Sequence, residues 1–369
     1  MTLLDRRRWI LAGAATAAGL PGLARARAGQ ARDLREAALD QATASPAAPP
    51  AMAAALVTRD GMQWAGVRGV RRVGQEDAAT LDDRWHLGSN TKAMTAAVWA
   101  RLVERGRVRW GLPLAEAFPE ITVHAAFAGL TVEDLMRHRA GLSDRTDLPL
   151  PVVSLADTRP VGVQRAALAR ALTSPPSGAV GDFAYANVNY VLAGAVIERV
   201  TGRSWEEVVA GEVFEPLGIA TAGFGAPAAN AAGGANAWGH RVQGETRTPV
   251  DPAGPGADNP AMLGPAGTAH MTLADYGRFV QAMMGGGPQD WLSIGSLSRL
   301  TAPPAGDRYA LGWIVGPDGA VAHEGSNTLW HAIVIARPTA GRASIVLSNG
   351  GLAGRTATAA LALRLLNDE

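Results

Sequence analysis

Strand-like segments lie at both ends of this chain, and helix-like segments fill the long stretch between them. Residues 52–58 and 62–69 are predicted strands around Asp60-Gly61, a dipeptide typical of hairpin turns. Near the other end the predicted strands are 309–315, 320–323, 332–337 and 343–348, with Gly316-Pro317-Asp318-Gly319 as a turn between the first two. This order favours a sheet built from both termini with a helical lobe inserted between them.

Helical periodicity is predicted in several segments, namely 30–44, 90–105, 131–138, 188–201, 205–213 and 355–366. Gly106 is a stop signal, and Ser204-Trp205-Glu206-Glu207 resembles a capping box. Stretches rich in Ala, Gly and Pro predict loops at 146–161 and 222–262. We therefore expect an α/β (α+β) fold, with an antiparallel sheet flanked by N- and C-terminal helices. Its sheet lobe is placed at about 29–88 and 300–369, and its all-helical lobe at about 89–299.

Residues 1–28 have the three parts of an export leader. Arg6-Arg7-Arg8 precedes a bulky apolar pair, the segment 10–23 is apolar, and Ala26-Arg27-Ala28 offers small residues for cleavage. We interpret this as a twin-arginine-type signal peptide, with a membrane anchor as the alternative. The mature chain, 29–369, is then expected to be periplasmic or secreted. No later segment reaches the ~18 apolar residues of a membrane span, so no stable membrane insertion is expected after signal removal.

The charge balance excludes some classes of partner. The whole chain has a formal net charge of +1, and without residues 1–28 the balance is −3. Such a chain lacks the basic footprint of proteins that bind nucleic acid or anionic membranes. Cysteine is absent, which excludes disulfides, thiol chemistry and cysteine-bound metal.

Lys92 is the only lysine, and it lies three residues after Ser89 in Ser-Asn-Thr-Lys. Every other cationic side chain is Arg, whose guanidinium stays charged in proteins. An amine can instead be shifted toward neutrality by burial, so Lys92 is the best candidate for a group that handles protons. Ser89 is then the candidate nucleophile that it activates. Serine and lysine at this spacing share one helix face, although the spacing alone is a weak motif.

Two later segments strengthen this interpretation. Tyr185-Ala186-Asn187 precedes the predicted 188–201 helix, and His323-Glu324-Gly325 ends a predicted strand. With Ser89-x-x-Lys92, these segments resemble, in order, the three motifs of the serine β-lactamase and penicillin-binding-protein superfamily. The chain is most similar to the class-C-like branch of esterases, D-peptidases and β-lactamase-related hydrolases. Further similarity extends over about residues 50–350, and the segments that carry it are 135–142, 190–218 and 309–313.

The resemblance implies roles for these residues. Ser89 would be the nucleophile, and Lys92 and Tyr185 would share the task of removing its proton. Which of the two is the primary base stays open, because strongly coupled groups titrate as a unit. Asn187 would hold Lys92 and the substrate. The backbone amides of Ser89 and of Ser326, the residue after Gly325, would form the oxyanion hole.

His323 departs from the lysine that β-lactamases of this superfamily usually carry in the third motif. Its reference pKa near 6.5 predicts a weaker hold on a substrate carboxylate, and a gain of charge toward pH 6. It is expected to bind substrate and to tilt the specificity toward esters or peptides. A zinc motif is excluded because position 327 is Asn. His138 is predicted to be structural, and no metal or cofactor is expected.

Two classes of function follow. The first is an exported serine hydrolase acting on a small-molecule ester, peptide or β-lactam, with D-alanyl carboxypeptidase and D-aminopeptidase among the alternatives. The second is a non-catalytic, penicillin-binding-like sensor on the same fold. The joint presence of Ser89, Lys92, Tyr185 and Asn187 favours the enzyme.

Overall fold

The computed structural model describes residues 20–45, 47–147, 158–227 and 236–367. Its strands, in chain order, are β1 (Ala51–Thr58), β2 (Gly61–Gly69), β3 (Arg84–His86), β4 (Gly223–Phe224), β5 (His240–Gln243), β6 (Thr246–Pro249), β7 (Ala269–Thr272), β8 (Ile314–Val315), β9 (Val321–Ser326), β10 (His331–Arg337) and β11 (Arg342–Ser348).

The α-helices are α1 (Leu20–Thr43), α2 (Thr91–Glu104), α3 (Leu114–Ala117), α4 (Val132–Met136), α5 (Asp144–Asp147), α6 (Val161–Ala167), α7 (Asn187–Thr201), α8 (Trp205–Val209), α9 (Gly264–Gly267), α10 (Leu273–Met283), α11 (Ile294–Thr301) and α12 (Arg355–Asn367). The predicted capping box is present, since Ser204 and Glu207 exchange hydrogen bonds at the start of α8.

The main sheet takes its strands from both ends of the chain. Its order is β2-β1-β11-β10-β9-β8, and every neighbouring pair is antiparallel. The predicted fold class is confirmed: this is a mixed fold with the N- and C-terminal helices α1 and α12 packed together on the sheet. The middle of the chain is mostly helical, but the predicted all-helical lobe is wrong, since this part also carries the β5–β6 hairpin and two strands of a small sheet, β3-β7-β4.

Strand β1 shows why the sheet is buried on both faces. Ala53 and Ala55 face the large core that contains α2, whereas Met52, Ala54 and Leu56 face a second cluster built on α1 and α12. Both sets are shielded from water, so β1 has an apolar run in place of the apolar–polar alternation of a half-exposed strand. The small alanines let helices approach both faces of the sheet.

Some predicted elements are wrong in extent. The strand predicted at 309–315 is limited to Ile314–Val315, because Gly312 has a φ of +81° and turns the chain beside α2. The segment 222–262 is not one loop, since it holds β4, β5 and β6. The strand predicted at 320–323 continues to Ser326, so the third motif lies inside β9.

Much of the predicted leader, residues 1–19, lies outside the described residues, as does most of the predicted 146–161 loop. The backbone of residues 20–28 belongs to α1. None of the helices in the described part of the chain is long and apolar enough to cross a membrane.

Candidate active site

Ser89 lies in a tight 3₁₀ turn, Gly88–Asn90, that leads directly into α2. The Thr91 hydroxyl donates to the carbonyl oxygen of Gly88 at 2.7 Å, and the Asn90 amide donates to that of Leu87 at 3.0 Å. These bonds tie the side chains of Thr91 and Asn90 to the backbone of the turn. The turn places the Ser89 hydroxyl on the same side as Lys92 in the first turn of α2.

Lys92 is fully buried, and its amine has three oxygen neighbours. Nζ lies 3.0 Å from Oγ of Ser89, 2.8 Å from Oδ1 of Asn187 and 2.7 Å from the carbonyl oxygen of Ala266. Burial lowers the Lys92 pKa to about 7, although the carboxylate of Asp144 opposes that shift. The neutral form of the amine is therefore accessible near pH 7.

The acceptors around Lys92 define the direction of its lone pair. The Asn187 and Ala266 oxygens can only accept, so they take two N–H bonds in either protonation state. A neutral amine has two N–H bonds and one lone pair, and the remaining neighbour of that lone pair is the Ser89 hydroxyl. The amine can take the Ser89 proton without changing its other two contacts.

Asp144 orients Asn187. Its Oδ2 accepts from Nδ2 of Asn187 at 2.9 Å, and its Oδ1 accepts from the backbone N–H of Val188 at 3.0 Å. A carboxylate can only accept, so the Asn187 amide must present its oxygen toward Lys92. Asp144 is not predictable from the sequence, because a lone aspartate just before a predicted loop carries no pattern.

Tyr185 lies beside the nucleophile, and its side chain interacts with that of Ser89. Its ring centroid is 4.9 Å from Nζ of Lys92 and 4.3 Å from the ring centroid of His138. Desolvation of the hydroxyl raises the Tyr185 pKa even though the residue as a whole is 44% exposed, and the interaction with Ser89 only partly offsets this. This direction favours a neutral phenol over a phenolate.

His138 holds the second motif in place. It is buried with a φ of +58°, and its Nδ1 accepts from the backbone N–H of Ala186 at 3.2 Å. Ala186 lies between Tyr185 and Asn187, so this bond fixes the segment that carries both side chains. Burial lowers the His138 pKa well below its usual value, which keeps the ring neutral and able to accept.

Two glycines bring β9 against the Ser89 turn. A Cβ on Gly325 would lie 2.0 Å from the Leu87 carbonyl oxygen and 2.6 Å from the Ser89 nitrogen. Gly88 has a φ of +52°, and a Cβ there would lie 2.2 Å from the Ser326 nitrogen. Only glycine permits this approach. The backbone nitrogens of Ser89 and Ser326 therefore both lie where the Ser89 turn and β9 approach each other most closely.

A buried histidine supports the same turn. Nδ1 of His86 accepts from the backbone N–H of Gly88 at 3.0 Å, and its Nε2 lies 2.8 Å from Oδ1 of Asp258. That oxygen also accepts from the side chain of Asn327 at 2.7 Å, next to Ser326. The network links β3, the loop that carries Asp258, and the end of β9. No sequence motif connects its members, so the sequence does not predict it.

His323 lies beneath the site with both ring nitrogens engaged. It is 3% exposed, Nδ1 lies 2.6 Å from the Glu324 carbonyl oxygen, and Nε2 lies 3.0 Å from the Tyr309 hydroxyl. Because a carbonyl only accepts, Nδ1 carries the proton. Burial and the nearby Lys92 lower the His323 pKa to about 3, so the expected gain of charge toward pH 6 is wrong.

The structure thus brings Ser89, Lys92, Tyr185, Asn187, Gly325 and Ser326 to one place between β9 and α2, with His323 behind them. Among the residues that the structure describes, no cluster of three or more histidine or acidic side chains could hold a metal ion.

Comparison with known proteins agrees with this geometry. A beta-lactamase family model matches residues 36–368. The unguisins hydrolase of Aspergillus campestris is 26% identical over 274 residues, covering 68% of this chain and 48% of that protein. Penicillin-binding protein 4 of Amycolatopsis lactamdurans is 27% identical over 315 residues, covering 77% of each.

A D-stereospecific amidohydrolase from Streptomyces sp. superposes with a TM-score of 0.68 at 24% identity, covering 90% of this chain and 98% of that one. This likeness concerns the fold. The chain spans about half the length of the first curated relatives that it matches.

Proposed function

The chain belongs to the beta-lactamase family, and on that premise we propose that it is a serine hydrolase that cleaves ester or amide bonds through an acyl-enzyme on Ser89. One observation carries the proposal: Nζ of Lys92 is held by Asn187 and Ala266 while it lies 3.0 Å from the Ser89 hydroxyl. A serine needs such a base before it can attack a carbonyl.

Acylation begins when the neutral Lys92 amine takes the Ser89 proton as Oγ bonds to the substrate carbonyl carbon. A pKa of about 7 gives Lys92 a useful neutral fraction at physiological pH, which makes it the primary base in this proposal. The negative charge that forms on the carbonyl oxygen is stabilised by the backbone N–H groups of Ser89 and Ser326. Asn187 holds Lys92 and offers its amide to the substrate.

Collapse of the tetrahedral intermediate expels the leaving group, which needs a proton. The Tyr185 hydroxyl is neutral and its ring lies 4.9 Å from Nζ of Lys92, so it can pass the proton taken by Lys92 to the leaving oxygen or nitrogen. Water then adds to the acyl carbonyl, Ser89 leaves with a proton, and the acid product is released. Tyr185 acts as a relay in this scheme.

Esters are the favoured substrates. His323 occupies the position where β-lactamases usually carry a lysine, a fixed cation. Here the ring is neutral, and both of its nitrogens are hydrogen-bonded. A β-lactam carboxylate would therefore find no charge in the third motif. β-lactamase and D-peptidase activities are the alternatives, favoured by the relatives named as a penicillin-binding protein and a D-stereospecific amidohydrolase. A non-catalytic penicillin-binding sensor is the second alternative, and we place the enzyme outside the cytoplasm.

A panel of 4-nitrophenyl esters, D-alanyl anilides and nitrocefin tests the proposal. We expect short-chain esters to exceed nitrocefin in kcat/KM by ~10-fold or more. A preference for nitrocefin or for the D-alanyl anilide would replace the esterase assignment with the corresponding alternative. Covalent labelling without turnover of any of these compounds would favour the sensor.

A further inference from the structure

An apolar cleft with uncompensated positive charge lies beside Tyr185. It has a volume of about 470 Å³, and we call it the arginine cleft, after Arg137 and Arg308 in its lining. Its apolar lining includes Phe183, Tyr185, Tyr309 and Ile314. Because the Tyr185 ring also lies 4.9 Å from Nζ of Lys92, the cleft adjoins the candidate active site.

Three of these apolar side chains are unusually exposed. Phe183 is 52% exposed, Tyr185 44% and Ile314 46%, and all three line the cleft. The rings of Phe183 and Tyr309 are 5.4 Å apart, so the lining presents aromatic faces and edges. Clustered apolar exposure of this kind marks a binding surface, because an apolar occupant removes it from water.

The arginines differ in how they are paired. Arg139, which also lines the cleft, is neutralised by an ion pair with Asp307 and donates to the Gly181 carbonyl oxygen. Arg137 and Arg308 have no carboxylate partner among the described residues, and Nε of Arg137 is buried without an acceptor. Guanidinium groups without a counter-ion beside an apolar cleft favour an anionic occupant, since Arg pairs strongly with carboxylates.

We propose that the arginine cleft binds a substrate moiety that combines an apolar or aromatic body with a terminal carboxylate. This inference rests on the proposed hydrolase function and names its substrate class. The body covers Phe183, Tyr185 and Ile314, and the carboxylate meets Arg137 and Arg308. Selection for an anion then comes from this cleft, since His323 in the third motif is neutral.

The carboxylate could belong to the acyl part or to the leaving group, and two substrate pairs separate these cases. The acyl pair is 4-nitrophenyl hydrogen glutarate against 4-nitrophenyl pentanoate. The leaving-group pair is 4-acetoxybenzoate against 4-acetoxybenzamide. Each pair is measured with wild type, Arg137→Gln, Arg308→Gln and, as a matched control, Arg170→Gln, which removes an exposed arginine that is not in the cleft lining.

The measured quantity is the anionic-to-neutral ratio of kcat/KM, divided by the wild-type ratio, which cancels the intrinsic reactivity of the compounds. We expect Arg137→Gln and Arg308→Gln to lower it by ~10-fold in one of the two pairs, and Arg170→Gln to leave it within about twofold. An unchanged ratio in both pairs for both cleft variants overturns the inference. Ser89 labelling and hydrolysis of the neutral esters test the proposed function separately, so the two failures are distinguishable.

If the wild type turns over neither pair, calorimetric titration decides the question without chemistry. Wild type should then bind 4-phenylbutyrate more tightly than 4-phenylbutanamide, and Arg308→Gln should lose that preference. Equal binding of the two compounds by wild type would overturn the inference. Circular dichroism and thermal unfolding of each variant show whether a lost preference reflects a lost fold.

Discussion

The Tyr309 hydroxyl lies 3.0 Å from Nε2 of His323, the histidine of the third motif. With this hydrogen bond, both ring nitrogens of His323 have a partner. Nδ1 is already committed to the Glu324 carbonyl oxygen. The imidazole is therefore a neutral structural link between β9 and the segment before β8. Lys92 is then the group of the site that we expect to titrate near neutral pH.

The pH dependence of hydrolysis should follow Lys92. Its pKa is lowered to about 7, so kcat/KM for a neutral ester should rise with pH through a midpoint near 7 as the amine loses its proton. His323, with a pKa of about 3, should not contribute in this range. Profiles of wild type and His323→Gln should share the midpoint, and a displacement of roughly one pH unit or more in the variant would assign the titration to His323.

Lys92→Arg should be nearly as damaging as Lys92→Met. Arginine keeps the charge but cannot release a proton, and its larger head does not fit between Asn187 and Ala266. We expect each variant to lose ~10³-fold or more in the rate of acylation, measured by stopped-flow release of 4-nitrophenol. Substantial activity in Lys92→Arg would show that Lys92 acts only through its charge and that Tyr185 is the base.

Asp144→Asn should separate positioning from charge. The variant loses an acceptor for Asn187 or Val188, so kcat should fall, by about 10-fold or more. It also removes the negative charge that raises the Lys92 pKa, so the pH midpoint should move down. Asp147→Asn is the matched control, because Asp147 lies on the same short helix but bonds to Ser143 and Ser177. An unchanged pH midpoint in Asp144→Asn would show that the charge of Asp144 does not raise the Lys92 pKa.

Gly325→Ala should disrupt the site from the backbone. The new Cβ would lie 2.0 Å from the Leu87 carbonyl oxygen and 2.6 Å from the Ser89 nitrogen, so β9 must move away from the turn. Overpacking of this kind costs ~1–3 kcal/mol or more, measured by urea unfolding. Gly129→Ala, where a Cβ meets nothing within 4 Å, is the control. Normal acylation and stability in Gly325→Ala would show that the contact is not needed.

The sequence was informative where chemistry depends on residues at short, ordered spacings. Ser89 and Lys92 are one helical turn apart, and Tyr185 and Asn187 flank one residue, so the motifs predicted groups that the fold brings together. The antiparallel sheet was also predictable, because its strands are apolar runs bounded by turns. The shortening of the predicted strand 309–315 to β8 was not predictable, since it depends on how closely Gly312 approaches Ala93 in α2.

The supporting residues could not be predicted because they act across the fold. Asp144 orients Asn187 from a position 43 residues away, and His86 meets Asp258 across the helical middle of the chain. Neither pair leaves periodicity or a motif in the sequence. The protonation of His323 was also out of reach, because burial keeps its ring neutral at a pH where a free histidine would gain charge.

Mapping the covalent adduct of a fluorophosphonate probe tests the central claim, which is that Ser89 is the nucleophile. Wild type and Ser298→Ala, which removes an exposed serine on α11, should each gain the mass of one adduct, located on the peptide that contains Ser89. Ser89→Ala should gain none and should lose ester hydrolysis while its thermal unfolding remains cooperative. Labelling or near-normal hydrolysis by folded Ser89→Ala would place the nucleophile elsewhere and contradict the account.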